Sequence, residues 1–392
     1  MADISMDTAL VEKESAKGGN VSGLVAQAAK QSGVSPFKMM REIMMMKRAP
    51  CHMTEHEYFE FQLYDPSLSK EQKRAFVGMD GSFKLNLKLA PPRLTQMRGF
   101  LRDKVVFTGL LRQLGLATTE TQAVVAVDRR MGTMPCLRSV EDIERFLRDQ
   151  ARYPLFGKPV RGSRALGTVG IEGLDEAGQR LRLANGKTVA LRALAEEIIT
   201  DFPEGYMFQS RVVQHPDIAR FAGDSVGTVR LVTVIEEDTP RVLYALWKIP
   251  APTSMSDNYW QAGNMLCRLD AATGEVQACR TGKGLETQWL DTHPATGLPL
   301  KGFRIPNWDK VVAAALDAHA IFPVNGMLGW DIAVGPEGGI VIETNANPGH
   351  EFYQLSTGRG ILSPDMQAVF DRVIARNERV TDELNRLARE KY

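Results

Sequence analysis

Three oxygen-bearing side chains stand close together in the stretch 329–349, GWDIAVGPEGGIVIETNANPG: Asp331, Glu343 and Asn345. The stretch reads as two short strands around Gly335-Pro336-Glu337-Gly338-Gly339, a run no strand interior tolerates. Alternate strand residues face opposite ways. One face would carry Ile332, Val334, Ile340 and Ile342, and the other Asp331, Ala333, Val341, Glu343 and Asn345. With the turn centred on Glu337, Asp331 falls directly across the ladder from Glu343. Facing carboxylates repel unless a cation lies between them. Hard oxygen ligands of this kind suit magnesium that also holds substrate phosphates.

Asp331, followed by Glu343-x-Asn345 and Pro348-Gly349, resembles the metal-binding end of the ATP-grasp superfamily. The wording GWDIAV…IVIETNANPG is most similar to the sugar-transfer-associated ATP-grasp branch, which also resembles the alpha-L-glutamate ligase-like proteins. The resemblance implies an α+β fold in which two lobes clasp ATP. It further implies an enzyme that joins a carboxylate to an amine through an acyl phosphate, with Asp331, Glu343 and Asn345 holding a pair of Mg2+ ions, Mn2+ being the alternative.

A second glycine-rich stretch, YPLFGKPVRGSRALGTVGI, spans residues 153–171. A strand carrying Lys158 enters a loop with Gly162, Gly167 and Gly170, and a second strand leaves it. Glycines let backbone N–H groups approach phosphate oxygens, and Arg161, Ser163 and Arg164 add donors. The loop lacks a P-loop lysine, and the chain has no G-x-G-x-x-G, so neither of those nucleotide folds is supported. A strand lysine before a glycine loop resembles the ATP-grasp lid, whose matching lysine, Lys158 here, contacts the nucleotide phosphate. Lys104 resembles the family's first nucleotide lysine. By the same resemblance, the strand through Gln209 and Ser210 is the hinge between lobes. Its backbone, around Ser210 to Val212, would hold adenine, with Gln214, His215 and Asp217 as ribose candidates.

Residues 228–235 and 241–249 read as a strand pair that puts Arg230 and Lys248 on one face, two positions apart diagonally. A guanidinium suits bidentate phosphate binding. No acid occupies the alternate positions of the Arg230 strand from Thr228 to Val234, so a phosphate is its expected partner. Ligases of the superfamily often carry an arginine two residues before the metal-binding aspartate. That position is Gly329 here, which passes the catalytic work to Arg230 or Lys248. Asp257-Asn258 through Gly263-Asn264, with Tyr259 and Trp260, resembles the branch's acceptor-lining segment.

The elements that must position these groups come from a chain of 392 residues, 44% of them hydrophobic, enough for several cores. A net charge of +1 gives no global field for nucleic acid. Cys51, Cys136, Cys267 and Cys279 are scattered, without metal-site spacing. No uncharged apolar run reaches the ~18 residues of a membrane span, and the polar start is no secretory leader. A cytoplasmic protein is expected, acting on small-molecule carboxylate and amine substrates, without nucleic-acid partners; a homodimer is compatible with it.

Five segments are predicted: a disordered tail over 1–20, a helical region over 21–95, a lid lobe over 96–210, a large lobe over 211–362 and a C-terminal helix over 363–392. In the helical region Ser35-Pro36 opens a helix whose Met39, Met40, Met44, Met45 and Met46 read as core filler. Thr54-x-x-Glu57 and Ser69-x-x-Gln72 read as capping boxes. Residues 92–116 read as one amphipathic helix and 350–360 as a loop. The ligase would act on an amino acid or a sugar acid, and three rivals stand beside it: an ATP-dependent phosphotransferase that stops at the phosphorylated product, a non-catalytic ATP-binding regulatory module, and, from the branch name alone, a surface-polysaccharide enzyme attaching an amino acid to a sugar acid.

Overall fold

The computed structural model describes residue 10 and residues 21–90, 95–162 and 165–391. The expected tail over 1–20 lies outside the described residues but for residue 10, and so do Ser163 and Arg164. Short helices come first: α1 (Val21–Ser32), α2 (Pro36–Met46), α3 (Glu55–Glu60), α4 (Lys70–Arg74) and α5 (Met79–Lys88). Ser35 caps α2, and both expected capping boxes form, Thr54 with Glu57 and Ser69 with Gln72. Of the methionines on α2, only Met39 and Met46 are buried, with Ile43, while Met40, Met44 and Met45 are exposed.

The expected single helix over 92–116 is two, α6 (Thr95–Arg102) and α7 (Lys104–Gln113). The break is made by Asp103, whose carboxylate accepts from the N–H groups of Val105 and Val106, both at 3.2 Å. A capping carboxylate starts a new helix where periodicity alone sees one. Lys104 is thereby the first residue of α7, aimed by its cap.

The lid lobe is a seven-stranded sheet. Its strands are β1 (Thr121–Val125), β2 (Cys136–Leu137), β3 (Leu155–Pro159), β4 (Val169–Leu174), β5 (Arg180–Leu183), β6 (Thr188–Ala190) and β7 (Tyr206–Ser210), in the order β2-β1-β7-β3-β4-β5-β6. α8 (Val140–Arg145) and α9 (Leu191–Asp201) share its core, through Ile143, Leu194 and Ile198. Gly167 serves this core, because a Cβ there would stand 2.1 Å from the Phe202 ring, at a φ of +71°.

After α10 (Pro216–Ala222), the large lobe is a second seven-stranded sheet. Its strands are β8 (Thr228–Ile235), β9 (Pro240–Ile249), β10 (Met265–Leu269), β11 (Val276–Thr281), β12 (Gln288–Trp289), β13 (Met327–Gly335) and β14 (Gly338–Asn345). Their order is β12-β11-β10-β9-β8-β13-β14. On one face Val229, Leu231, Ile332, Val334 and Val341 pack with α11 (Trp308–Ala320), α10 and α7. On the other, Val232, Val234, Tyr244 and Leu246 share a core with α2, α3, α5, α12 (Glu351–Thr357) and α13 (Pro364–Lys391). The N-terminal helices are thus built onto the large lobe, and residues 351–357 form a helix where a loop was expected. The α+β architecture, helical N-terminal region and C-terminal helix match the sequence reading. Among the described residues no helix is long and apolar enough to cross a membrane.

Candidate functional site

A cavity of about 330 Å³ lies between the lobes. Asp331 and Glu343 line it and are direct cross-strand partners, as expected. The route to that register differs from the expected one. The turn closes on Gly335↔Gly338, and a bulge between Asp331 and Ile332 then shifts the pairing by one, so Ile332 faces Val341. The extra residue is Ile342. A bulge re-aims the side chains beyond it. It corrects the face assignment: Val341 joins Ile332 and Val334 in the core, whereas Ile342 lines the cavity beside Glu343 and Asn345.

Arg230 also lies directly opposite Asp331, on β8. Its Nε and Nη2 donate to Asp331 Oδ1 and Oδ2 at 2.7 and 2.9 Å. The expectation of an arginine with no acid within reach is corrected here, because the acid comes from the neighbouring strand. Lys248 is paired with Thr228 in the ladder, diagonal to Arg230 as read from the sequence. Its Nζ lies 3.2 Å from Asp331 and 3.3 Å from Asp257. Asp257 in turn accepts from the Thr228 N–H at 3.0 Å and from the Thr228 hydroxyl. Burial pushes the Asp331 carboxyl up, but Arg230 and then Lys248 outweigh it and hold the group well below the usual carboxylate range. The same two acids hold Lys248 charged despite its burial.

Lys158 comes from the lid sheet, on β3, whereas Lys104 comes from α7, which packs on the large-lobe sheet. Lys158 is 4% exposed. Burial lowers its pKa to about 8; Glu343 opposes that shift and Lys104 adds to it. Lys104 Nζ donates to the Gly162 carbonyl at 3.1 Å and lies 3.5 Å from Glu343, so it spans the lid loop and the hairpin.

Most of the other sequence candidates converge on the same cavity: Gly162, Gln209, Ser210, Val212 and Asn345 line it. Gly167, Gln214 and Asp217 do not line it. Gln214 is committed to the chain itself, donating to the Gly223 and Ser225 carbonyls and accepting from the Gly227 N–H. Asp217 sits in the first turn of α10, behind the cap made by His215. The sequence reading missed Arg211, which lines the cavity and pairs with Glu172, and the charge role of Asp257. The first carries no spacing signal, and the second needs the ladder to bring Lys248 to it. Asn258 and Trp260 line the cavity, in the segment read as acceptor-facing.

Gly329 has a steric explanation. A Cβ there would stand 2.8 Å from Pro348 Cβ, so the turn after β14 fills the space an arginine side chain would leave through.

Among the described residues no group of three His, Cys, Asp or Glu could by itself hold a metal. The donors do suit magnesium carried on nucleotide phosphates, which needs only one or two protein carboxylates. Glu343 is partly exposed to the cavity and the Asn345 side chain lines it; the buried, unpartnered Asn345 Nδ2 is a hydrogen-bond donor that suits a phosphate oxygen, and only the amide oxygen could meet the ion. Asp331 has less to offer, since Oδ1 already faces Arg230 and Lys248 while Oδ2 faces Arg230 alone.

A family model described as sugar-transfer-associated ATP-grasp matches residues 85–369. Among solved structures, D-alanine–D-alanine ligase from Bacillus anthracis is similar at 13% identity and a TM-score of 0.39, over 73% of this chain and 70% of that one. VanG D-Ala:D-Ser ligase from Enterococcus faecalis follows at 14% identity and a TM-score of 0.38, over 71% and 62%. L-amino acid ligase from Bacillus licheniformis is similar at 14% and 0.37, over 69% of this chain and only 48% of its own length. No curated protein is similar enough to this chain to count as a relative.

Proposed function

Because the chain belongs to the sugar-transfer-associated ATP-grasp family, we propose that it is an ATP-dependent ligase that activates a carboxylate as an acyl phosphate and joins it to an amine. One observation carries the reading. Four cations from both lobes, Lys104, Lys158, Arg230 and Lys248, line one cavity with the hairpin oxygens of Glu343 and Asn345. That arrangement suits a polyphosphate whose charge must be neutralised as it is transferred.

In this reading Lys158 binds nucleotide phosphates from the lid, and Lys104 binds them from the start of α7 on the large lobe. Arg230, oriented by both its hydrogen bonds to Asp331, faces the transferring group. Lys248 is kept charged and in position by Asp257 and Asp331. Ser210 to Val212 would meet the adenine. Glu343 and Asn345 would hold Mg2+, with Asp331 contributing through Oδ2. Magnesium, when bound, neutralises phosphate charge and polarises the γ-phosphoryl group.

The balance is simple. A carboxylate oxygen bonds to the γ-phosphorus as the bond to ADP breaks. The amine nitrogen then bonds to the acyl carbon, phosphate leaves, and one proton passes to solvent. Holding the reactants in line between closed lobes supplies much of the acceleration. A cytoplasmic site of action, where ATP is abundant, belongs to the same reading.

The test is ADP release across pools of carboxylates and amines, with mass spectrometry of the product. A condensed amide supports the ligase. A stable phosphoester would make the protein a phosphotransferase, and nucleotide binding without ADP release would make it a regulatory module.

A further inference from the structure

Helix α2 has two apolar faces, and the fold uses one. Met39, Ile43 and Met46 are buried in the core that the N-terminal helices share with the large lobe. At about 3.6 residues per turn, Phe37, Met40 and Met44 point nearly the opposite way. Phe37 is 79% exposed and Met44 65%, with Met40 and Met45 exposed beside them. A helix on a protein surface ordinarily turns charged and polar side chains outward. Here the outward stripe is apolar and bordered by cations. Lys38 and Arg41 run along one side, and Lys47 and Arg48 stand at its C-terminal end, all four exposed.

The helix cannot roll to hide this stripe. Glu42, the acid of α2, turns inward, accepting from the Tyr58 hydroxyl at 2.6 Å and from the Lys73 ammonium at 2.9 Å. Ser35 fixes the first turn by accepting from the Lys38 N–H, and Lys47 pairs with Glu55 at the start of α3. Residues 36–48 thus carry four cations and one acid, and the acid is committed to the interior. α5 begins against the turn after α2, where the Gly78 N–H donates to the Cys51 carbonyl at 2.9 Å. It repeats the pattern, with Phe83 and Leu87 exposed next to exposed Lys84 and Lys88, of which Lys84 pairs with Asp80.

We propose, independently of the ligase reading, that the outward face of α2 docks the protein on the surface of an anionic phospholipid bilayer. What selects lipid over protein is the mixing of apolar side chains with cations. Lysine is depleted from the buried centre of protein interfaces. An interfacial helix instead sets its apolar side chains into the acyl boundary and keeps lysine and arginine at the level of the phosphates. The long basic stems lie along the apolar layer while their charged ends stay among the headgroups. With 11 residues α2 is about 16 Å long, so it lies in the surface and is too short to cross. Each cation near an anionic leaflet strengthens binding about fivefold.

Co-sedimentation of the full chain with vesicles tests this, comparing phosphatidylcholine alone with an equal mixture of phosphatidylcholine and phosphatidylglycerol. Binding to the anionic vesicles should be at least about tenfold tighter and should weaken as salt is raised. Met40→Ser with Met44→Ser should reduce it about tenfold, and Met40→Leu with Met44→Leu should keep it. Lys38→Gln with Arg41→Gln should reduce it about twentyfold. All three pairs should melt as the wild type does, because these side chains are exposed. A wild type that stays in the supernatant, equal binding to neutral and anionic vesicles, or binding unchanged in the serine pair overturns the proposal. So does a wild-type dimer in analytical ultracentrifugation without vesicles that the serine pair dissolves, since that assigns the face to a second copy. Vesicle binding is read without turnover, so it is scored apart from any result on ADP release.

Discussion

Arg230 and Asp331 sit directly opposite each other on β8 and β13, joined by paired hydrogen bonds of 2.7 and 2.9 Å. The guanidinium and the carboxylate are both buried. Removing Arg230 leaves the buried Asp331 with Lys248 still beside it and its Oδ2 without the guanidinium. Arg230→Met should therefore destabilise the fold by about 3 kcal/mol, more than loss of a ligand contact alone. Denaturant unfolding checks this. The double variant Arg230→Met with Asp331→Leu should recover much of the loss, because an apolar pair of similar shape leaves no orphan charge. Asp331 is depressed in the folded state, so its contribution is complete above the unfolded value of about 4 and is lost as pH falls below it. An acid titration of stability should show that loss in the wild type and a smaller one in the double variant.

Lys158 responds to pH in the opposite range. Burial lowers its pKa to about 8, below its unfolded value of about 10.4. Between those values the unfolded chain holds the extra proton, so this group makes stability rise with pH across the window. ATP binding would favour the charged form. The dissociation constant for ATP should accordingly climb as pH rises above about 8, by up to about tenfold per pH unit for one linked proton. Lys158→Met should bind ATP weakly and lose that slope. A wild-type affinity flat from neutral pH through this range would place Lys158 away from the phosphates.

The two lid glycines separate into different roles. A Cβ at Gly162 meets nothing nearer than Pro159 at 3.6 Å, whereas one at Gly167 would enter the Phe202 ring. Gly162→Val should lower turnover with a smaller loss of melting temperature than Gly167→Val, since a side chain at Gly162 has open space but is strained by a φ of +158°. Gly167→Val should lower the melting temperature markedly, by several degrees for each kcal/mol lost. Thermal melts beside ADP-release assays distinguish the two.

Glu343→Gln keeps the shape of the hairpin and removes a charge. Turnover should fall by about two orders of magnitude or more, and added magnesium should restore little of it. Because Glu343 is partly exposed and its contact with Lys104 is 3.5 Å, the melting temperature should barely move. Gly329→Arg, which restores the residue common in the superfamily, should instead unfold the region, since Pro348 occupies the path of its side chain.

Much of this was legible in the sequence where chemistry and periodicity coincide. The pairing of Asp331 with Glu343, the diagonal of Arg230 and Lys248, and both capping boxes follow from local pattern. What escaped was set by partners distant in the chain. Asp331 as the mate of Arg230 depends on strand order, because β8 lies beside β13 only in the folded sheet. The bulge at Ile342 is invisible because a misplaced turn centre compensates for it and returns the same pairing. Three methionines of α2 face outward although the spacing suits a core, because spacing does not reveal which helix face meets a neighbour. Gln214 and Asp217 were placed near ribose by position along the chain, while local backbone hydrogen bonds direct Gln214 elsewhere.

The bulge also lies next to the strap between the lobes. The Val341 N–H donates to the Ala117 carbonyl at 2.9 Å, and its carbonyl accepts from the Thr118 hydroxyl at 2.7 Å. Residues 117–118 lead straight into the first strand of the lid. The pivot on which the lid would swing is therefore fastened one residue before the bulge and two before Glu343. Residues 117–118 are thereby tied to a backbone position two peptide units from the Glu343 carboxylate, while Asp331, across the ladder, is held by Arg230 on a different strand.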